Sequence, residues 1–258
     1  RHREQRVLEL MLHASETDNA VARAKAQTLI DFLPWLQAFQ GKILVVKFGG
    51  NAMVDEALQE AFAQDMAYLQ LVGLKPVVVH GGGPQITARL KELGIPSEFR
   101  GGFRVTSPDA IRVVRDVLRN QISASLAESI AAAGGSPIVM SGEDGSLFEG
   151  EKTFIQEAGE TVDIGLVGEV RKVNPQIVLD ALEAGQIPVI STVAPDADGN
   201  LLNVNADLAA SAIARALGAE KLVMLTDVPG LYSDWPNRDS RVSEITVSEL
   251  EELLPKLE

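Results

Sequence analysis

The chain has 258 residues, 46% of them hydrophobic and none of them cysteine, which excludes a disordered or disulfide-stapled protein and leaves room for one large core or two lobes. Its formal net charge of −13 argues against a nucleic-acid partner, because phosphate backbones are bound mainly through lysine and arginine. No apolar run reaches the roughly 20 residues of a membrane span, so the expectation is a cytoplasmic protein with no membrane partner.

In chain order, the opening stretch RHREQRVLELMLHASETD scatters charges through its apolar positions and does not read as a leader. Over residues 19–39 Leu29, Leu33 and Leu36 keep helical spacing, with Pro34 inside and expected to kink or restart the helix. An amphipathic helix ahead of a core needs a cover for its apolar face, either that core or an oligomer contact. Thereafter short β-branched runs alternate with helical patterns. They are ILVVKF, DEALQEAFAQDMAYLQLVG, KPVVVH, PQITARLKELG and a long helical stretch from 108 to about 133, then PIVM, NPQIVLDALEAG, IPVIST, ADLAASAIARALG and KLVMLTDV. That alternation predicts an α/β fold, an open, mainly parallel twisted sheet between helix layers, with strands buried on both faces.

Pro84, Pro108 and Pro175 stand where first-turn prolines belong, preceded by Gly83, Ser107 and Asn174 as N-caps, while Gly73, Gly94, Gly185 and Gly218 close helices. Over 148–171 short pieces with turns at GEKTF and EAGETVD predict antiparallel hairpins. The end, SELEELLPKLE, is a helical pattern in which Thr246 and Glu249 form a capping box.

The chemistry concentrates at two glycine loops. In VVVHGGGPQI, Gly81, Gly82 and Gly83 lie between a buried strand and a helix start, where free N–H groups and the helix dipole favour an anion and missing Cβ atoms admit a ligand. The bland alternative is a turn that needs positive φ. The other loop, KFGG, follows the first strand with Lys47, Gly49 and Gly50, and in a parallel sheet both loops open onto one crevice at the carboxyl ends. Lys47 is either a phosphate ligand or a surface charge. In LLNVNADLAA, Asn203, Asn205 and Asp207 alternate ahead of a helix, more polar groups than one N-cap requires. In GGFRVTSPD, Arg104 is either a bidentate carboxylate fork or an exposed loop arginine. Two anion-receiving loops side by side suggest phosphoryl transfer, in which lysines and Mg²⁺ neutralise oxygens and loop amides fix geometry. A carboxylate acceptor is already ionised at neutral pH, so no general base is needed. Among His2, His13 and His80, only His80 adjoins the glycines, as a site residue or a structural one. No metal-ligating residue set is read in the sequence.

VVKFGGNAM, VVHGGGPQI, FRGGFRVT, DIGLVGEV, LLNVNADLAA and KLVMLTDVPGLY, in this order over about residues 35–232, resemble the N-acetyl-L-glutamate kinases of the amino acid kinase family. The resemblance implies that Lys47 touches the transferring phosphoryl group and that Asp207 orients the catalytic lysines. It implies amides of Gly49, Gly50 and Gly82 on the phosphates and reacting carboxylate, Arg104 and Asn203 on the α-carboxylate and acetamido group, and Gly81 and Gly83 shaping the pocket. Thr226, Asp227 and Val228 with Gly230, Leu231 and Tyr232 would border the nucleotide. Implied with them are ATP with Mg²⁺, an N-terminal helical extension (1–40), an N-lobe for the acyl amino acid (41–200) and the start of a C-lobe for ATP (201–258). A second catalytic lysine, after a GM-type loop, is expected beyond Glu258, without which the chain would be crippled. For Glu143 in MSGEDG no role is implied. The N-terminal helix resembles the extension of arginine-inhibited members, which interlaces dimers into a hexamer and forms part of an L-arginine site. The alternatives are a kinase for another acyl amino acid, such as a carrier-linked aminoadipate, and a catalytically silent ligand-binding subunit of the same fold.

Overall fold

The computed structural model describes residues 18–157 and 159–257, and the chain divides into two compact units between Gly41 and Lys42. In the first unit a helix spans Asp18–Phe39. It continues through Pro34, so the expected restart does not occur. A proline inside a helix removes one amide donor, and the turns around it carry the run on to Gln40, whose N–H donates to the Leu36 carbonyl at 2.9 Å. Leu29, Leu33 and Trp35 on this helix are exposed. The expectations for residues 1–17 lie outside the described residues.

The second unit begins with β1 (Ile43–Phe48), the helix Glu56–Leu71, β2 (Lys75–His80), the helix Gly83–Glu92 and a short antiparallel pair, β3 (Phe99–Arg100) and β4 (Phe103–Arg104). A helical run over 108–132 leads to β5 (Pro137–Ser141), β6 (Phe148–Glu157) and β7 (Glu160–Val173). The helix Gln176–Glu183, β8 (Ile187–Ser191), β9 (Val193–Pro195), β10 (Leu201–Val204), the helix Ala206–Ala216 and β11 (Lys221–Met224) follow. The last part holds β12 (Leu231–Tyr232), β13 (Arg241–Val242) and the helix Val247–Leu253.

β11, β1, β2, β8 and β5 form, in that order, a five-stranded sheet in which every pairing is parallel. Successive residues of its strands face opposite cores. Val46, Val78 and Val189 join the helices Glu56–Leu71, Gly83–Glu92 and 108–132 on one face, while Val45, Val77 and Ile190 join the helices Gln176–Glu183 and Ala206–Ala216 on the other. This is the expected α/β architecture, strands buried on both sides. A second sheet, in the order β6, β7, β10 and β9, lies beside it in sequence as a mixed set.

Several local expectations hold. Gly73, Gly94, Gly185 and Gly218 end their helices at positive φ, Ser107 Oγ accepts from the Ala110 N–H at 3.1 Å, and Thr246 and Glu249 form a reciprocal capping box. Two N-caps shift by one residue, to Gly82 and Pro175. One turn is wrong: GEKTF lies within β6, paired with β7 from Gly150↔Val170 to Phe154↔Asp163 through a break in register. Gly150, which reads as a turn signal, is there because a Cβ would crowd Ala194 and Leu202 at 3.1 Å. The 108–132 run is also less regular than its pattern suggests, passing through a π-helical turn at Val117–Ile122. Among the described residues no helix is long and apolar enough to cross a membrane.

Candidate active site

β1 and β2 pair in parallel with Phe48 opposite His80, so KFGG and HGGG leave the sheet side by side at its carboxyl edge. The Gly81 N–H donates to the Phe48 carbonyl at 3.2 Å and ties the two loops together. They open onto a crevice of about 280 Å³ that Lys47, Gly49, Gly50, Gly81, Gly82, Gly83, Arg104, Asn203 and Asp207 all line. Residues from four separate motifs thus converge.

Lys47 is no surface charge. Its side chain is 12% exposed, and Nζ lies 2.9 Å from Asp207 Oδ1. The lysine curls over Gly49, where a Cβ would come within 2.7 Å of Nζ. Asp207 sits in the first turn of the helix Ala206–Ala216, whose N-cap is Asn205, with Oδ1 accepting from the Asp207 N–H at 2.8 Å and the Leu208 N–H at 3.3 Å. The third member of the alternating trio, Asn203, donates from Nδ2 to Thr106 Oγ1 at 3.2 Å. Each of the three therefore has a separate task, which answers why capping alone does not explain the pattern.

Arg104 is buried, with 6% of the residue exposed. Its Nη2 donates to the Gly83 carbonyl at 3.0 Å and to Thr87 Oγ1 at 2.8 Å, Nη1 donates to Ser97 Oγ, and Cζ lies 4.5 Å from the centre of the Phe99 ring. Burial pulls its pKa below the ordinary arginine value, though far from any loss of charge near neutral pH. No carboxylate among the described residues pairs with it. A buried guanidinium held only by neutral groups, at the wall of a crevice, is an uncompensated charge that an anion would satisfy.

The glycine triplet differs from its expectation. None of Gly81, Gly82 and Gly83 has a positive φ, so the bland turn reading fails. Gly82 is required for another reason: a Cβ there would lie 2.4 Å from Ile122 Cδ1 and 2.8 Å from Leu118 Cδ2. Both neighbours belong to the π-helical turn, which packs against the back of the loop. At Gly83 a Cβ would meet open space. The N–H groups of Gly82 and Gly83 have no hydrogen-bond partner among the described residues. His80 takes the structural alternative: it is fully buried and does not line the crevice.

The expected nucleotide border is only partly assembled. Gly49 and Gly50 line the crevice, and Gly50, at φ +72°, lies under the Asp227 carboxylate, 2.6 Å from where a Cβ would stand. Thr226 lines a neighbouring groove with Phe48, Leu58 and Phe62. Gly230 and Tyr232 line a separate hollow of about 720 Å³ with Trp235 and Lys256. Outside the crevice, Glu143 accepts from Arg115 Nε at 3.0 and 2.9 Å through its two oxygens, and anchors the loop after β5 to the 108–132 run.

The sequence pattern of the amino acid kinase family matches residues 42–257, the whole of the second unit but its last residue. The chain belongs to the amino acid kinase family. Within this family it is similar to the acetylglutamate kinase of Leifsonia xyli subsp. xyli, at 59% identity over 93% of this chain and 80% of that one. It is 58% identical to the acetylglutamate kinase of Saccharopolyspora erythraea, over 92% of this chain and 78% of the relative. Among solved structures, N-acetylglutamate synthase from Neisseria gonorrhoeae, complexed with coenzyme A and N-acetyl-glutamate, superposes with a TM-score of 0.75 at 19% identity, over 90% of this chain and 52% of that one. That likeness is one of fold.

Three features around the crevice of this family member had no signal in the sequence. Thr87 and Ser97 hold Arg104, but they are single hydroxyl residues, one in a helix and one in a loop, 17 and 7 residues before the arginine. Leu118 and Ile122 form the back wall of the second glycine loop, and their apolar spacing reads only as a core face. Ser123 touches His80 across 43 residues of sequence.

Proposed function

We propose that the chain transfers a phosphoryl group from ATP to the side-chain carboxylate of N-acetyl-L-glutamate, giving an acyl phosphate in arginine biosynthesis. The observation that carries this reading is the crevice itself: a buried, unpaired Arg104 on one wall and Lys47 between two glycine loops on the other, in a chain 59% identical to a protein named acetylglutamate kinase. The arrangement suits a substrate with two anionic ends.

In this reading Arg104 takes the α-carboxylate and Asn203 the acetamido group, while Gly81 and Gly83 shape the pocket between them. The Gly82 N–H faces the reacting carboxylate. Lys47 neutralises charge on the transferring oxygens, and Asp207, 2.9 Å away, fixes the ammonium in place. Because the acceptor carboxylate is ionised at neutral pH, no residue has to remove a proton. The glycine cradle over Gly49 and Gly50, where side chains would collide with Lys47 and Asp227, fits a polyphosphate. Thr226, Asp227, Gly230 and Tyr232 complete the nucleotide side. ATP, bound as its Mg²⁺ complex, supplies the electrophilic γ-phosphoryl group. Residues 41–200 would form the acyl amino acid lobe and 201–258 the start of the nucleotide lobe.

The exposed Leu29, Leu33 and Trp35 of the helix Asp18–Phe39 support a homo-oligomer; a hexamer built as a trimer of dimers, with L-arginine as allosteric inhibitor, is what the resemblance of this helix to the extension of arginine-inhibited kinases implies. The test is hydroxylamine-trapped acyl phosphate formation by the full-length protein with ATP and, side by side, N-acetyl-L-glutamate, glutamate, aspartate and an N-acyl aminoadipate. Turnover confined to N-acetyl-L-glutamate is the expected result. Turnover of the aminoadipate instead, or of no acceptor by a folded ATP-binding protein, would overturn it. Added arginine lowering that turnover would support the allosteric role.

A further inference from the structure

Behind the crevice, β2 ends on a buried imidazole that phosphoryl transfer leaves without a task. His80 Nδ1 lies 2.9 Å from the Gly81 carbonyl oxygen, and Nε2 lies 2.6 Å from Ser123 Oγ. A carbonyl oxygen can only accept, so Nδ1 carries the proton and donates to it. Nε2 is then the acceptor, and the Ser123 hydroxyl donates to it. The opposite tautomer would set two lone pairs against each other at 2.9 Å. Burial pushes the imidazole pKa down to about 4, so the ring is neutral near pH 7 and the tautomer is defined. Ser123, fully buried as well, begins the helix that follows the π-helical turn.

The Gly81 carbonyl and the Gly82 N–H belong to one planar trans peptide, in which the two bonds point in opposite directions. A carbonyl drawn toward His80 in the core therefore turns the N–H of Gly82 toward the crevice that Gly82 lines. Ile122 and Leu118, the latter also lining the crevice, crowd the position a Gly82 Cβ would take and leave the loop no room to shift that way.

We propose that His80, locked by Ser123, is a positioning residue that fixes the Gly81–Gly82 peptide so that its N–H donates to the oxygen bearing charge during the reaction. The inference rests on the phosphoryl-transfer reading. It adds that the donor is aimed from the core, by a residue that touches neither substrate. An amide prealigned in this way needs no reorganisation as charge builds, which is how such donors lower a barrier.

Two measurements on the full-length protein test it. Long-range ¹H–¹⁵N spectra at pH 7, with the signal assigned by its loss in His80→Asn, should show a neutral ring protonated on Nδ1. A ring protonated on Nε2, or charged at that pH, overturns the proposal whether or not the enzyme turns over. In kinetics, His80→Asn keeps an N–H donor at the Nδ1 position, whereas His80→Gln and His80→Leu do not. His80→Asn should hold kcat within about fivefold, while the other two lose about 10²-fold in kcat with KM for N-acetyl-L-glutamate changed less than about threefold. Equal losses in His80→Asn and His80→Gln, or losses carried by KM, overturn it, and this pair decides the matter if His80→Leu does not fold. A wild-type protein inactive on every acceptor would overturn the proposed function instead, leaving the tautomer as a separate result.

Discussion

The two glycine loops at the edge of the sheet look alike in sequence and are glycine for opposite reasons. In KFGG the space that a Cβ would need is taken by the protein's own charged groups, the Lys47 ammonium over Gly49 and the Asp227 carboxylate over Gly50, and Gly50 adds a positive φ. In HGGG no φ is positive, and the space at Gly82 is taken by methyl groups of Leu118 and Ile122. One loop is crowded by charge and the other by hydrocarbon. The first makes the field of the crevice; the second gives it a fixed wall.

The sharpest way to break this contrast is to remove the charge. Lys47→Ala should lower kcat about 10³-fold, as loss of a principal oxyanion partner does, with far-UV circular dichroism unchanged; near-normal turnover would remove Lys47 from the chemistry. The hydrocarbon side carries its own signature in pH. His80 has a pKa of about 4 in the folded chain against 6.5 for the free group, so between those values the unfolded state binds more protons. Stability is therefore complete above pH 6.5 and lost as the pH falls toward 4, by roughly 3 kcal/mol from this residue. Denaturant midpoints of wild type and His80→Asn compared across that window should converge as the pH drops; parallel curves would contradict the burial.

Gly82→Ala comes next. Its Cβ must push into two buried side chains, so about 2 kcal/mol of stability and about 10²-fold in kcat should be lost, read from urea titration and acyl phosphate formation. Gly50→Ala should cost about 1 kcal/mol for its left-handed backbone, with the kinetic loss in KM for ATP rather than in kcat. Smallest of all in stability is Gly83→Ala, whose Cβ enters open space at a helix start; the fold should lose less than about 0.5 kcal/mol, and the kinetic effect should fall on KM for N-acetyl-L-glutamate, whose pocket Gly83 shapes. A severe defect there would mean that the bound substrate fills that space.

Much of this was legible because it is local. ILVVKF and KPVVVH predict β1 and β2 to the residue, since a β-branched run bounded by polar residues has few other uses in such an alternation. Arg104, Asn203, Lys47 and Asp207 carry their chemistry in their own side chains, although they come from an antiparallel pair, the mixed sheet, the parallel sheet and a helix start that meet at one crevice. The larger failures are long-range. Gly150 reads as a turn until Ala194 and Leu202 are seen against it, and the need for Gly82 comes from residues 36 and 40 positions further along the chain. At Pro34 the restart expected as one of two outcomes does not occur, for a local reason: one missing donor does not stop a helix whose neighbouring turns are intact.

The π-helical turn at Val117–Ile122 has a consequence for how this chain can change length. Such a turn holds one residue more than an α-helix needs, and because the extra residue is taken up locally, the turns on either side keep the register of an uninterrupted α-helix. Ser123 therefore reaches His80, and the 123–132 helix keeps its face to the sheet, although the segment between carries an extra residue. The identity of the residues in this segment can drift as long as they stay apolar where they touch the loop. Their number can also fall by one, so in this stretch a single-residue gap would be a lighter change than in the α-helical turns on either side, where it would rotate all that follows by about 100°.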